Sequence, residues 1–189
     1  MSEYINSTID EMLDTLEKDR YISSEKTIEF GLVVYSRCVK INNEMGMALA
    51  LWHIGRTYVD MSKYEKAMPY LFDSINLSQK QGICDLQLLT YLTIGDIYFD
   101  IGEYEKSLDY YNYAEKLSKE ITDSKNYFKN SSQYYAAKIY NNIGEIYRIL
   151  RCYEDAILYY NLSADLDRKL NYQATFRSEE RRVGKECPR

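Results

Sequence analysis

The stretch LLTYLTIGDIYFDIGEYEKSLDYYNYAEKLS, residues 88–118, decides how this chain is read. It describes a helical hairpin, with a turn marked at Gly102 and apolar residues at helical spacing on both sides. Two further stretches align with it: ALALWHIGRTYVDMSKYEKAMPYLFDSINLS, residues 48–78, and KIYNNIGEIYRILRCYEDAILYYNLSADLD, residues 138–167. Gly55, Gly95 and Gly144 anchor the alignment. Each follows an Ile (Ile54, Ile94, Ile143) and precedes a Tyr by three (Tyr58, Tyr98, Tyr147). Small residues recur twelve positions after each glycine (Ala67, Ser107, Ala156) and nineteen after it (Ser74, Ala114, Ser163). Such a pattern is what close helix contact requires: the small positions let two helices approach while Ile and Tyr fill the remaining space. A Leu at one of the glycines would overpack the hairpin, at about 1–3 kcal/mol.

The repeat resembles the tetratricopeptide repeat, over roughly residues 45 to 170. The glycine spacings depart from that family: 40 and 49 residues, against a family period of about 34. Longer second helices are therefore expected, with an insertion at 122–133 and repeats at 45–82, 85–121 and 134–170. Ser62 with Glu65 reads as an S-x-x-E capping box opening a second helix, Gly102 with Glu105 holds the same offset, and Pro69 predicts a mild kink. Upstream, Ile5, Ile9, Met12, Leu13 and Leu16 mark an amphipathic helix. Ile28, Phe30, Leu32, Val33 and Tyr35 mark another, and the two form a degenerate first repeat over 1–43, since terminal repeats are commonly atypical. Eight helices in four antiparallel hairpins follow. The expected fold is all-α, and the resemblance implies a right-handed superhelical array.

The end of the chain reads differently. From Arg177 the string RSEERRVGKECPR is charged and aperiodic, and RSEERRVGKEC resembles the conceptual translation of a sequencing adapter. Residues 177–189 are therefore read as foreign, and 171–176 as the start of a truncated repeat. The reading makes the chain a fragment with an uncapped last hairpin, whose stripe of Ile157, Tyr160 and Leu166 favours self-association. The tail holds five basic and three acidic residues, so the remainder carries a net charge of −7 against −5 for the whole. That acidity speaks against nucleic acid as a partner, because phosphate binding needs clustered positive charge.

No apolar run approaches the ~20 residues that span a bilayer, so no membrane role is expected. The start, MSEYINSTIDEML, lacks the basic and apolar regions of a secretion signal. Cys38, Cys84, Cys152 and Cys187 are scattered, with His53 the sole histidine; neither a disulfide framework nor a metal site is expected, and the reducing cytoplasm is the expected compartment. No nucleophile stands beside His53, and the glycines lie singly inside helices, unlike a phosphate loop. Neither enzyme activity nor a cofactor is expected.

In the resembled family the first helices line a groove that holds a peptide or protein segment. Carried over by distance from each glycine, the groove positions are Trp52, His53, Arg56, Val59 and Asp60, then Thr93, Asp96, Phe99 and Asp100, then Lys138, Asn141, Asn142, Glu145, Arg148 and Ile149. Asn can donate to and accept from a peptide backbone at once, which singles out Asn142, and Arg56 or Arg148 can pair with a carboxylate. The strings NNIGEIY and YEKSLDYY are similar to those of bacterial signalling proteins, both peptide-pheromone receptors and proteins with a diguanylate cyclase domain. The resemblance implies a peptide-binding sensory or regulatory module of a larger protein. The alternatives are the N-terminal part of a signalling enzyme and a constitutive assembly scaffold.

Overall fold

A computed structural model describes residues 8–19, 24–121 and 132–186. Among them lie eight α-helices: α1 (Ile9–Asp19), α2 (Ser24–Lys40), α3 (Glu44–Asp60), α4 (Tyr64–Gln81), α5 (Cys84–Asp100), α6 (Tyr104–Glu120), α7 (Ser132–Ile149) and α8 (Tyr153–Glu186). No strand occurs among the described residues, and the all-α repeat fold is as expected. Ile5, Cys187 and most of the insertion expected at 122–133 lie outside them. The chain forms two compact units, Met1–Leu117 and Ser118–Arg189.

Side chains fix the starts of α1 and α3. The Thr8 amide donates to Glu11 Oε2 at 2.8 Å and the Glu11 amide to Thr8 Oγ1 at 3.3 Å, a reciprocal capping box for α1. Asn43 caps α3 by accepting from the Gly46 amide at 2.8 Å. The box expected at Ser62 is absent: α4 opens at Lys63 without a side-chain cap. Ser62 instead has φ 55°, and its amide donates back to the Val59 carbonyl (2.8 Å) while that of Lys63 donates to Tyr58 (2.9 Å). This is a Schellman turn closing α3, with the left-handed residue just past the helix end. The same two bonds recur at Gly102/Glu103, Arg151/Cys152, Asn42/Asn43 and Gly82/Ile83, all with positive φ at the first residue. Ser62, Gly102 and Arg151 each fall seven residues after a repeat glycine.

α3 and α4 contain 17 and 18 residues, so the extra length expected in second helices is shared by both members of the hairpin. α4 runs unbroken through Pro69. Inside unit one, α3 packs against α2 and α4, and α4 against α5. A Cβ placed on Gly55 would lie 2.7 Å from Leu71 and one on Gly95 2.5 Å from Tyr111; in unit two, one on Gly144 would lie 2.9 Å from Tyr160. Each glycine thus admits the residue sixteen positions later, on the second helix. One serine hydroxyl fastens each hairpin: Ser74 to the Ala48 carbonyl, Ser107 to Gly95 and Ser163 to Ala137, all at 2.8 Å. The tyrosine three after each glycine stacks on the one fifteen after it. Tyr58–Tyr70, Tyr98–Tyr110 and Tyr147–Tyr159 have ring centroids 5.6, 5.3 and 5.5 Å apart, an offset arrangement that adds to area burial.

Candidate functional site

The groove positions on α3 and α5 fall into two kinds. Trp52 and His53 are 7% and 3% exposed, their rings edge to face at 4.8 Å, and Thr93 is buried too. They are walls of the core rather than groove surface, because α3 and α5 are covered on several sides and bury most of their residues. Arg56, Asp60, Asp96, Phe99 and Asp100 reach solvent at least in part. Arg56 is already engaged: its Nε lies 3.2 Å from Asp60 and its Nη1 3.4 Å from Asp96, tying α3 to α5 across the repeat boundary. Asp96 also accepts from the Tyr111 hydroxyl and Asp100 from that of Tyr64, both at 2.8 Å. The bond to Asp100 raises the Tyr64 pKa, because ionising the phenol would set two anions together. Phe99 meets the edge of Tyr104 at 5.9 Å.

In unit two, α7 places Lys138, Asn141 and Arg148 on the surface and Asn142, Glu145 and Ile149 half-buried. Their three- and four-residue steps put them on one helix face. Glu145 grips the Arg148 guanidinium through both oxygens, with Nε donating at 2.9 Å, and accepts from the Tyr160 hydroxyl at 2.7 Å. These bonds, Arg148 first, hold the Glu145 carboxyl down to about 2, and Glu145 in turn raises the Arg148 pKa. Arg148 still leaves 54% of its side chain exposed. Its fork is positioned and its outer edge open, which suits capture of a carboxylate or a peptide carbonyl.

One relation escaped the sequence reading. An acid directly after the glycine bonds the tyrosine sixteen positions after it, as Asp96 does Tyr111 and Glu145 does Tyr160. The signal was visible as Gly-acid followed by Tyr at a fixed offset in two repeats, while Arg56 and Leu71 replace the pair in the remaining one. Tyr160, expected in an exposed stripe, instead lies against Gly144. Among the described residues, no three His, Cys, Asp or Glu side chains gather as a metal set, and no helix is long and apolar enough to cross a membrane.

A family profile described as tetratricopeptide repeat matches residues 48–81, 89–121 and 137–170, a little over half of the chain. No curated protein matches. Among solved structures, BtubC (BKLC) from P. vanneervenii is similar with a TM-score of 0.70 and 13% identity, over 90% of this chain and 68% of that one. MamA is similar with a TM-score of 0.53 and 15% identity, over 87% and 89%. At these identities the likeness is one of fold.

Proposed function

The chain belongs to the tetratricopeptide repeat family, a family of protein-binding and assembly modules, and from that premise we propose that it holds an extended peptide or protein segment along its first helices. The observation that carries this reading is the α7 face, where a partly exposed Arg148 preset by Glu145 and Tyr160 shares a helix face with Asn141 and Asn142. A peptide backbone offers alternating donors and acceptors that the Asn amides can meet, and Arg148 takes a carboxylate. In unit one, taken by itself, Asp60, Asp96 and Asp100 can accept from peptide amides and Phe99 offers an apolar contact.

Peptides selected from a random library on the immobilised chain supply the test. Arg148→Ala weakens capture about tenfold or more, the scale of a charge-assisted contact, and Asn142→Ala about two- to tenfold, the scale of a neutral one, while Asn161→Ala on the exposed side of α8 leaves it unchanged. The opposite ranking rejects the groove. The string NNIGEIY, Asn141–Tyr147, supports a place in a bacterial regulator whose output another domain supplies. The cytoplasm belongs to the same reading, being the compartment where an exposed thiol such as Cys152 stays reduced.

A second copy of the chain is a further partner, and the face of α8 favours it. Nine residues after their glycines, Tyr64 bonds Asp100 and Tyr104 packs on Phe99. Tyr153, at the same step, is 59% exposed, beside Ile157 at 60% and Leu158 at 55%. An apolar helix face of this kind is an association surface.

A further inference from the structure

At the repeat boundary inside unit one two side chains reach across, Gln87 buried and Tyr113 56% exposed. Gln87 on α5 donates through Nε2 to the Ser78 carbonyl at 3.1 Å, and Tyr113 on α6 sets its ring 5.5 Å from that of Tyr91. Tyr91 also takes a bond from Gln79 at 2.9 Å. Counted from the repeat glycines, the matching residues of unit two are Ser118 for Ser78, Lys119 for Gln79, Tyr140 for Tyr91, Ala136 for Gln87 and Leu162 for Tyr113. An amide has become a methyl group and a phenol an isobutyl group. At that place lies a pocket of about 340 Å³, and all five of these residues line it. Its volume is at the lower end of those that take small ligands.

We propose that this pocket is a binding site for an aromatic side chain of a partner peptide, whose neighbouring amide N–H takes the place that the Gln87 amide holds beside the Ser78 carbonyl, which also accepts from the Ile83 amide. The boundary inside unit one is the template. The guest ring lies on Tyr140 as Tyr113 lies on Tyr91, and the guest amide donates to the Ser118 carbonyl, an oxygen with two lone pairs. Ala136, Leu162 and Leu166 form the apolar wall. The charged side chains that line the pocket are two lysines, Lys119 and Lys169, and one acid, Asp165, so the lining is net positive and an acidic residue beside the aromatic one is preferred. None of the α7 groove positions lines the pocket, and the site stands independently of the groove.

The methyl resonances of Leu162 and Leu166 in the full chain report occupancy. Three probes are titrated: N-acetyltyrosinamide, the acetylated and amidated peptide Glu-Tyr-Glu, and its counterpart Lys-Tyr-Lys. The acidic peptide shifts both methyl signals saturably, and the basic one binds roughly two- to fivefold more weakly, the range for exposed charge pairs. Ala136→Gln and Leu162→Tyr rebuild the boundary of unit one; each abolishes binding, with folding checked by circular dichroism, whereas Asn142→Ala retains it. Should one of the rebuilt variants not fold, the other carries the comparison. Absence of a saturable shift in the native chain at the solubility limit of the acidic peptide overturns the proposal. So does unchanged binding by a folded Ala136→Gln or Leu162→Tyr variant. Equal affinity for tyrosinamide and the acidic peptide assigns the pocket to a free aromatic amide and overturns the peptide as its source.

Discussion

Arg151 holds φ at 63° in the turn between α7 and α8, where the preceding repeat uses Gly102 at 82°. A side chain in the left-handed region costs about 1–2 kcal/mol, and glycine avoids that at the expense of a looser unfolded chain. Arg151→Gly is therefore expected to raise stability by about 0.5–1 kcal/mol, read as a higher urea midpoint. Gly95 behaves oppositely. An added Cβ meets the Tyr111 ring at 2.5 Å, and that ring is 1% exposed, so it cannot swing away. Overpacking of about 1–3 kcal/mol exceeds the ~1 kcal/mol of helix propensity that alanine gains, and Gly95→Ala should lower the urea midpoint. At this scale the sequence was legible wherever a residue type has one use. The recurring glycines lie inside helices, away from the turns where Gly82 and Gly102 serve, and there they read as close contacts. Ser62 was misread because S-x-x-E fits a capping box and a serine past a helix end equally well; only the chain direction at the turn, φ 55°, separates the two.

Within a hairpin, the acid that follows the glycine links first helix to second. Glu145 ionises near 2 when folded, below its ordinary 4.5, through its bonds to Arg148 and Tyr160. A depressed carboxyl pKa means the folded state favours the anion, so the contribution is complete above pH 4.5 and is lost as pH falls toward 2. Urea midpoints measured across that window should decline in the native chain, and Glu145→Gln should flatten the part of the decline that belongs to α7 and α8. The exposure of the positions carried over as groove residues was half legible for a related reason. Counting from the glycine found the surface of α7, but it set Trp52 and His53 on the same face of α3, where both are buried. Helical spacing assigns a direction to each side chain; it does not say what neighbouring elements cover. Apolar residues on most sides of α5 signal coverage from several directions, and the same caution extends to α3.

The whole chain is two compact units, and α8 of the second leaves large apolar side chains in solvent. Tyr153, Ile157 and Leu158 each keep more than half of their area in solvent. Sedimentation over a wide concentration range should show a mass that rises with concentration, and Ile157→Lys should shift the distribution toward monomer; a concentration-independent monomer rejects the association. The all-α repeat fold was readable from the three aligned segments, because each repeats the same contact chemistry. The sequence boundaries at 171 and 177 fall inside α8, which continues to Glu186, and composition alone does not mark where a helix stops when its residues are good helix formers. The stacked tyrosine pairs have an optical consequence. Trp52 is the sole indole of the chain and lies in unit one, so its emission follows the melting of that unit alone. The ring stacks occur in both units, at Tyr58–Tyr70, Tyr98–Tyr110 and Tyr147–Tyr159, and their near-ultraviolet ellipticity sums over both. Two melting curves from one cuvette then tell whether the units unfold together or in turn, without a label or a substitution.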